Sequence, residues 1–228
     1  GCQENPQQQI VLGHGSGSFG HFSAEKHHTR EGVSSREDWR GFSEVWDDAA
    51  TLNRLLMVEL RSGGIASIAF PPSSTVSARG GKILNWELSG LKTTLEQGLV
   101  PVIFGDVVFD SRLGGTILST EDLFIYLAEH LKPKRILLAG REPGVWSDFP
   151  ECTNLIPTIT PESYPALKES VSRSHSTDVT GGMRSKVEGM LRLIESVPEI
   201  SVQILPGENP GYITEALAGG HPGTRLHS

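Results

Sequence analysis

The sequence of 228 residues predicts an α/β fold with a mainly parallel sheet, and three observations support this prediction. Short runs rich in β-branched residues alternate with longer stretches whose apolar residues recur at helical spacing. Residues 100–104 are continuously apolar, as strands are when both faces of a sheet are covered. Glycine follows the expected strands that end near residues 12, 104, 139 and 205, and because ligands bind at the carboxyl ends of parallel strands, we expect one crevice at these four strand ends. Since neither a repeat nor a linker interrupts this pattern, we expect one domain over residues 1–228.

The first half of the chain begins with a strand over residues 10–12 and a Gly/Ser-rich loop over residues 13–20. Residues 21–42 are polar, and we interpret them as a further loop. Residues 43–61 carry apolar side chains at helical spacing and end at a glycine pair, the usual C-terminal signal of a helix. The next expected elements are a strand over residues 65–70, a helix over residues 86–97 and a strand over residues 100–104.

In the middle of the chain, two turn signals predict a hairpin whose strands contain residues 107–109 and 116–118. Ser119 is followed three positions later by Asp122, a pattern that resembles a capping box and predicts a helix to residue 131. The remaining expected elements are strands over residues 135–139 and 201–205, helices over residues 161–171, 183–197 and 212–217, and an edge strand over residues 224–226.

The charge and cysteine content exclude several classes of protein. Lys and Arg number 20 against 27 Asp and Glu, and the net charge of −7 disfavours nucleic acid and anionic membrane as partners. Cys2 and Cys152 form no disulfide framework, which favours a reducing cytoplasmic setting. No apolar run approaches the roughly 20 residues of a membrane span. The N-terminus resembles no signal peptide and has no initiator Met, so we expect the chain to begin inside a longer protein.

The strongest local signal is the segment GHGSGSFGH at residues 13–21. Small residues let backbone N–H groups approach an anion closely, and several N–H groups in one turn can surround phosphate oxygens. A flexible turn without a ligand is the alternative interpretation. His21 at the end of the segment either donates to a bound phosphate or is a structural histidine.

Two other segments carry chemistry. In DVTGGMRSK, residues 178–186, a glycine pair precedes a helix start, and Lys186 follows one turn later, where it can neutralise an anion or lie on the solvated surface. The carboxylates of residues 105–122 either cap a helix or position a lysine or a metal with its nucleotide. His27 and His28 lack further ligands at a suggestive spacing, so we discount a metal site there.

Taken together, these segments resemble the isopentenyl phosphate kinases of the amino acid kinase superfamily. The resemblance rests on HGSGSFGH (residues 14–21), GDVVFD with GGTILSTED (residues 105–122), DVTGGMRSK (residues 178–186) and the closing residues 207–224. It implies a three-layer αβα sandwich, usually a homodimer, that phosphorylates isopentenyl phosphate with ATP and Mg²⁺. Phosphoryl transfer of this kind depends on positioning and on cationic stabilisation more than on covalent chemistry.

The resemblance also implies roles for individual residues. The acceptor phosphate would be held by the backbone N–H groups of Gly15 and Gly20 and by the side chain of His21, with Gly115 over the substrate. The nucleotide phosphates would be held by Ser16, Gly182 and Lys186, and Lys186 would stabilise the group in transfer.

Three departures from the family pattern bear on the nucleotide site. The family begins with an earlier strand and a KxGGS-type loop followed by a functional lysine, whereas only nine residues precede the first strand expected here. Ser16 stands where the family commonly has glycine, and its small size predicts a slight effect. The TDxxGV nucleotide segment reads GREPGV at residues 140–145, so Arg141 replaces an aspartate, and we expect a changed nucleotide affinity or base preference.

Two alternatives remain at this point. One is a related kinase of a small phosphonate of the fosfomycin type, and the other is a non-catalytic nucleotide-binding module. An isoprenoid acceptor needs an apolar trough and a phosphonate does not. We expect that trough along residues 43–61 and near Ile83 and Phe109.

Overall fold

The structure, a computed structural model, describes residues 8–172 and 182–228. The side chains of Ser18, His21, Ser170 and Ser172 lie outside this description, as do residues 178–181 of the DVTGGMRSK segment. The chain divides between Tyr126 and Leu127 into two compact units. Whether the two units form the single domain expected from the sequence stays a prediction.

The N-terminal unit contains two sheets and the helices that flank them. Its strands are β1 (Leu12–His14), β2 (Ser67–Ala69), β3 (Val76–Arg79), β4 (Lys82–Trp86), β5 (Val100–Phe104), β6 (Asp106–Asp110) and β7 (Gly114–Leu118). Its helices are α1 (Gly17–Lys26), α2 (Arg36–Ser62), α3 (Pro72–Thr75), α4 (Ser89–Glu96) and α5 (Thr120–Leu131), and the boundary between the units falls within α5.

The first sheet of this unit is parallel throughout, in the order β1-β5-β2. All five residues of the central strand β5 are buried, as its continuous apolar run predicts. The second sheet has the order β4-β3-β6-β7 and is mixed. Its strands β6 and β7 pair antiparallel, from Asp106 opposite Leu118 to Asp110 opposite Gly114, which confirms the predicted hairpin.

Two predictions for the first half of the chain are wrong. The segment expected as a loop over residues 13–20 is already helical from Gly17, and α2 begins at Arg36 instead of residue 43. The α1 sequence has little apolar periodicity, and contacts with α2 hold it. Gly41 of α2 leaves room for His27, since a Cβ there would lie 2.4 Å from the His27 ring. The His27 Nε2 atom then lies 2.7 Å from Oε2 of Glu44, which gives this histidine a structural partner.

Strand assignments differ from prediction in two further places. Trp86, expected to open a helix, ends strand β4, which pairs with β3. Residues 224–226 do form a strand, but it lies inside its sheet and not at the edge. Trp86 pairs with Val76 across the turn at Gly80 and Gly81, whereas the strand at residues 224–226 lies between two strands that are distant from it in the sequence.

The C-terminal unit is built around a four-stranded sheet in the order β11-β13-β12-β8, and β9 pairs with β10 separately. Its strands are β8 (Arg135–Gly140), β9 (Val145–Trp146), β10 (Leu155–Ile156), β11 (Thr158–Ile159), β12 (Ser201–Pro206) and β13 (Thr224–Leu226). Its helices are α6 (Tyr164–Ser172), α7 (Gly182–Ser196) and α8 (Pro210–Leu217). The predicted apolar stripe of α7 is buried, and consists of Val187, Met190, Leu191 and Ile194. Within the two described ranges, no helix has both the length and the apolar composition of a membrane span.

Asp110 joins two turns of the mixed sheet. Its carboxylate accepts hydrogen bonds of 2.8–2.9 Å from the backbone N–H groups of Gly80 and Gly81 in one turn and of Arg112 and Leu113 in the other. Burial by itself raises the pKa of Asp110, but these donors outweigh it and lower the pKa to about 2. The ionised carboxylate therefore fixes both turns of this sheet.

We expect Asp110→Ala to lower the free energy of unfolding by about 3 kcal/mol, because four backbone N–H donors lose a charged acceptor. Urea unfolding followed by circular dichroism measures the change. The exposed Asp47 of α2 supplies the matched control, since Asp47→Ala should stay within about 0.5 kcal/mol of the wild type. Equal effects of the two substitutions would contradict the role of Asp110.

Candidate functional site

The residues predicted for the site fall into one group in each unit. In the N-terminal unit, Gly15 and Ser16 form the turn between β1 and α1, and Gly20 and the backbone of His21 lie in the first turns of α1. The His21 side chain lies outside the description. The turn therefore follows directly on the carboxyl end of a parallel strand, where ligands bind in such sheets.

The base of this turn is attached to the neighbouring strand and to α5. The His14 carbonyl accepts hydrogen bonds from the Thr120 hydroxyl at 2.6 Å and from the Gly105 N–H at 3.2 Å. The same Gly105 N–H lies 3.0 Å from the Thr120 Oγ1 atom. Since β1 and β5 are parallel neighbours, the glycines that follow them, Gly15 and Gly105, lie at the same end of the sheet.

The start of α1 has the shape of an anion-binding turn. Gly17 adopts φ +53°, which glycine tolerates and other residues rarely do. Gly20 packs on Ser16, where a Cβ would lie 2.7 Å from the Ser16 Cβ. Ser16 is the N-cap, but its side chain accepts no capping hydrogen bond. The first N–H groups of α1 therefore keep their capacity to bind an anion.

Gly115, predicted to lie over the substrate, is buried in β7 opposite Phe109. A Cβ on Gly115 would lie 2.6 Å from the Phe42 ring, so this glycine leaves space for that aromatic side chain. Phe42 belongs to an aromatic cluster with Trp39 and Phe109, whose ring centroids lie 5.2–6.0 Å apart. Trp39 is 38% exposed and Phe109 is 56% exposed, so the cluster presents an apolar surface.

The sequence predicted an apolar surface near Phe109, but did not point to Trp39 or Phe42. Both lie before residue 43, in the part of α2 that we expected to be a loop. Their spacing of three residues is a helical signal that could have found them. Ile83, the other residue expected near the trough, lies in β4, half-buried.

The carboxylates of residues 105–122 have separate structural environments. Asp122 and Ser119 form the predicted cap of α5: the Ser119 N–H donates to Asp122 at 2.9 Å, and the Asp122 N–H donates to the Ser119 hydroxyl at 3.1 Å. Asp106 is 1% exposed and accepts from the N–H groups of Val107 and Ser73. Burial raises the pKa of Asp106 to about 6, against the lowering effect of these donors.

The raised pKa of Asp106 predicts a pH-dependent stability. Below its unfolded pKa of about 3.8 the protonated group adds its full stabilisation, which disappears as the pH rises through about 6. We therefore expect the difference in unfolding free energy between the wild type and Asp106→Asn to shift by about 2 kcal/mol between pH 4.5 and pH 7.5. Urea titrations at both pH values measure this shift, and a constant difference would contradict the burial of an ionisable group.

In the C-terminal unit, the predicted nucleotide residues lie at strand and helix ends. Strands β8 and β12 are parallel neighbours, and the Gly207 N–H after β12 donates to the Gly140 carbonyl at 2.6 Å. Arg141 follows Gly140 and is exposed at this end of the sheet. The structure therefore brings two glycine-bearing strand ends together in each unit, as predicted. A single crevice for all four strand ends stays a prediction.

Gly182 and Lys186 lie in the first two turns of α7. Gly182 is the first residue of the helix and adopts φ +67°. Lys186 is half-buried. Two residues further along, Glu188 accepts hydrogen bonds of 3.0 Å from Tyr164 and Arg184, which ties α6 to α7. The start of α7 is thus held by packing and by these polar contacts.

Comparison with known proteins identifies the family of this chain. The amino acid kinase family profile matches residues 3–205. The isopentenyl phosphate kinase of Methanothermobacter thermautotrophicus is 31% identical over 235 residues, which cover 95% of this chain and 84% of that protein. The isopentenyl phosphate kinase of Haloferax volcanii is 34% identical over 194 residues, which cover 82% and 76% respectively.

Solved structures give the same answer for the fold. One, described as X-ray structures of isopentenyl phosphate kinase, has a TM-score of 0.80 and 28% identity, and the match covers 98% of this chain and 86% of that one. A product complex of the Thermoplasma acidophilum enzyme, at 23% identity, has a TM-score of 0.77 and covers 99% and 87%. These matches confirm the predicted α/β three-layer sandwich. The chain belongs to the amino acid kinase family and, within it, to the isopentenyl phosphate kinases.

Proposed function

We propose that this chain is an ATP-dependent kinase that transfers the γ-phosphoryl group to isopentenyl phosphate, forming isopentenyl diphosphate. The observation that carries the proposal is the glycine turn ahead of α1, in a chain whose relatives of this name are 31–34% identical. The turn combines open N–H groups with the positive end of a helix dipole, which suits the phosphate of the acceptor.

The residues divide between the two phosphate-bearing substrates. The N–H of Gly15 binds the acceptor phosphate, and His21 donates to it. The N–H of Gly20 already donates to the Ser16 carbonyl at 3.3 Å, so Gly20 contributes its close packing on Ser16, which shapes the turn. Ser16 and Gly182 bind nucleotide phosphates through their backbone, and Lys186 neutralises the charge that develops on the transferring group. Arg141 is exposed at the end of β8, within the segment that matches the family's nucleotide loop. Positioning and charge stabilisation of this kind account for most of the catalysis of phosphoryl transfer.

The aromatic cluster supports an isoprenoid acceptor over a polar phosphonate. Trp39 and Phe109 expose ring surface next to Phe42, beside the glycine assigned to the substrate, Gly115. An apolar surface of this kind can bind the five-carbon tail, whereas it makes no favourable contact with a small polar phosphonate. This is the feature that distinguishes the two acceptors.

A coupled ADP-release assay with ATP and Mg²⁺ tests the proposal. We expect turnover with isopentenyl phosphate and none with fosfomycin. If fosfomycin is phosphorylated and isopentenyl phosphate is not, the protein is a phosphonate kinase and the proposal is wrong. ATP binding without turnover of either acceptor would favour a non-catalytic nucleotide-binding module, and this outcome would contradict the proposal.

Mg²⁺, a homodimer and a cytoplasmic location complete the proposal. Magnesium bound with a nucleotide takes most of its ligands from phosphate and water. Among the described residues no three His, Cys, Asp or Glu side chains gather to hold a metal. The homodimer rests on the family resemblance, and light scattering tests it. The cytoplasmic location rests on the cysteine content, and fractionation tests it.

A further inference from the structure

We propose that His14 is a positioning residue of the phosphate-binding turn. Its ring holds the Gly15 carbonyl in place, and this turns the N–H of Ser16 towards the phosphates of the nucleotide. The inference rests on the proposed function, because that function assigns Ser16 to the nucleotide. His14 itself touches neither substrate in this proposal and acts through the peptide group that follows it.

The His14 ring is held on three sides. Nδ1 lies 2.9 Å from the Gly15 carbonyl oxygen, and Nε2 lies 3.2 Å from the side-chain oxygen of Asn53 in α2. The ring also stacks on Phe104 of β5, with centroids 5.3 Å apart and planes 12° apart. Asn53 and Phe104 are both buried, so the ring rests against rigid partners.

The partners of the ring determine where its hydrogen lies. A carbonyl oxygen only accepts, so Nδ1 carries the hydrogen and donates to Gly15. Nε2 faces the side-chain amide of the buried Asn53, whose oxygen lies 3.2 Å away, so a polar group of α2 fixes this edge of the ring.

Two consecutive carbonyls of the turn are held in this way. In a trans peptide group the C=O and the following N–H point in opposite directions. The His14 carbonyl is held by Thr120 and Gly105, so the Gly15 N–H points away from them. The Gly15 carbonyl is held by the His14 ring, so the Ser16 N–H points away from the ring.

The turn has free space at Gly15, and its two N–H groups have no partner among the described residues. A Cβ built on Gly15 would meet no atom within 4 Å. Among the hydrogen bonds of the described residues, none uses the N–H of Gly15 or of Ser16. Donors that are fixed in direction before the ligand arrives need no reorganisation when it binds, and such preorganisation strengthens binding of a charged group.

Three substitutions of His14 separate the contributions of its ring atoms. His14→Phe keeps the stacking on Phe104 and removes the Nδ1 donor. His14→Asn places an amide N–H near the position of Nδ1, and His14→Gln places one near Nε2. We expect His14→Phe and His14→Gln to raise the dissociation constant of ATP about tenfold or more, the effect of losing one hydrogen bond to a charged group. In His14→Asn, the dissociation constant of ATP should stay within about threefold of the wild-type value.

Calorimetry with ATP and steady-state kinetics with both substrates provide the readouts. The proposal expects the KM for isopentenyl phosphate to change less than about twofold in His14→Phe, while the ATP constants change about tenfold. Thr120→Val removes the hydroxyl that holds the His14 carbonyl. This variant should raise the KM for isopentenyl phosphate and leave the ATP constants nearly unchanged. If His14 has a purely structural role, both KM values should change together, and His14→Asn should be as defective as His14→Phe. Either result would overturn the proposal.

The same experiment separates this inference from the proposed function. If the wild type binds ATP but phosphorylates no isopentenyl phosphate, the proposed function fails. The ATP dissociation constants of the three His14 variants still decide the positioning role in that case. Unchanged ATP binding in His14→Phe would overturn the role of His14 even if the wild type turns over isopentenyl phosphate.

Discussion

His21→Ala is expected to reduce turnover of isopentenyl phosphate by about a hundredfold or more, the effect of removing one preorganised donor from a developing charge. The family pattern assigns this histidine to the acceptor phosphate, and the structure places its backbone in the first turns of α1. Steady-state kinetics at saturating ATP and Mg²⁺ measure the loss. Because the contact strengthens in the transition state, we expect kcat to fall more than KM rises.

His28 provides the matched control for this experiment. It follows α1 in the same unit and is exposed, with Glu31 as its neighbour at 3.7 Å. His28→Ala should leave kcat and KM within about twofold of the wild type, since exposed residues away from a site rarely affect it. An unchanged rate in His21→Ala, or an equal loss in both variants, would remove His21 from the catalytic assignment.

Lys186→Ala is expected to reduce kcat/KM for ATP by about a hundredfold or more, because the lysine supplies positive charge to the transferring phosphoryl group. The wild-type rate should not return in Lys186→Met, which preserves the apolar length of the side chain and removes the charge. Measurements of kcat/KM with ATP varied and isopentenyl phosphate saturating test both variants. Thermal unfolding of each variant reports whether the helix is disturbed.

Arg192 is the control cation on the same helix. It is exposed two turns further along α7, and Arg192→Ala should change kcat/KM for ATP by less than about twofold. If Lys186→Ala lowers only the melting temperature and leaves kcat/KM unchanged, Lys186 is a structural residue. The assignment of the nucleotide phosphates to α7 would then fail as well.

Local signals predicted much of the fold. The capping pattern of Ser119 and Asp122, which spans only four residues, predicted the start of α5. The stripe from Val187 to Ile194 predicted the buried face of α7 because its helical period is visible in any short window. Strand β5 was evident from its continuous apolar run.

Elements that depend on distant partners were missed or misplaced. Helix α1 has few apolar residues, and it owes its position to Gly41 and Glu44 of α2. The turn between strands β3 and β4 is held by Asp110, which lies about thirty positions later in the sequence. No local pattern announces such contacts, since each requires two segments to be placed in space first.

For the site, the sequence by itself predicted which residues carry the chemistry. The glycine turn, His21 and Lys186 belong to contiguous motifs, and the family relationship follows from them. Only the tertiary structure decided how the turn is held. The ring of His14 in β1 meets Asn53 of α2 and Phe104 of β5, and Asp106 acquires its raised pKa from burial. The physical reason is range: a backbone turn or helix cap is stabilised by neighbours within a few residues, whereas the direction of a donor and the ionisation of a carboxyl depend on surroundings that only folding assembles.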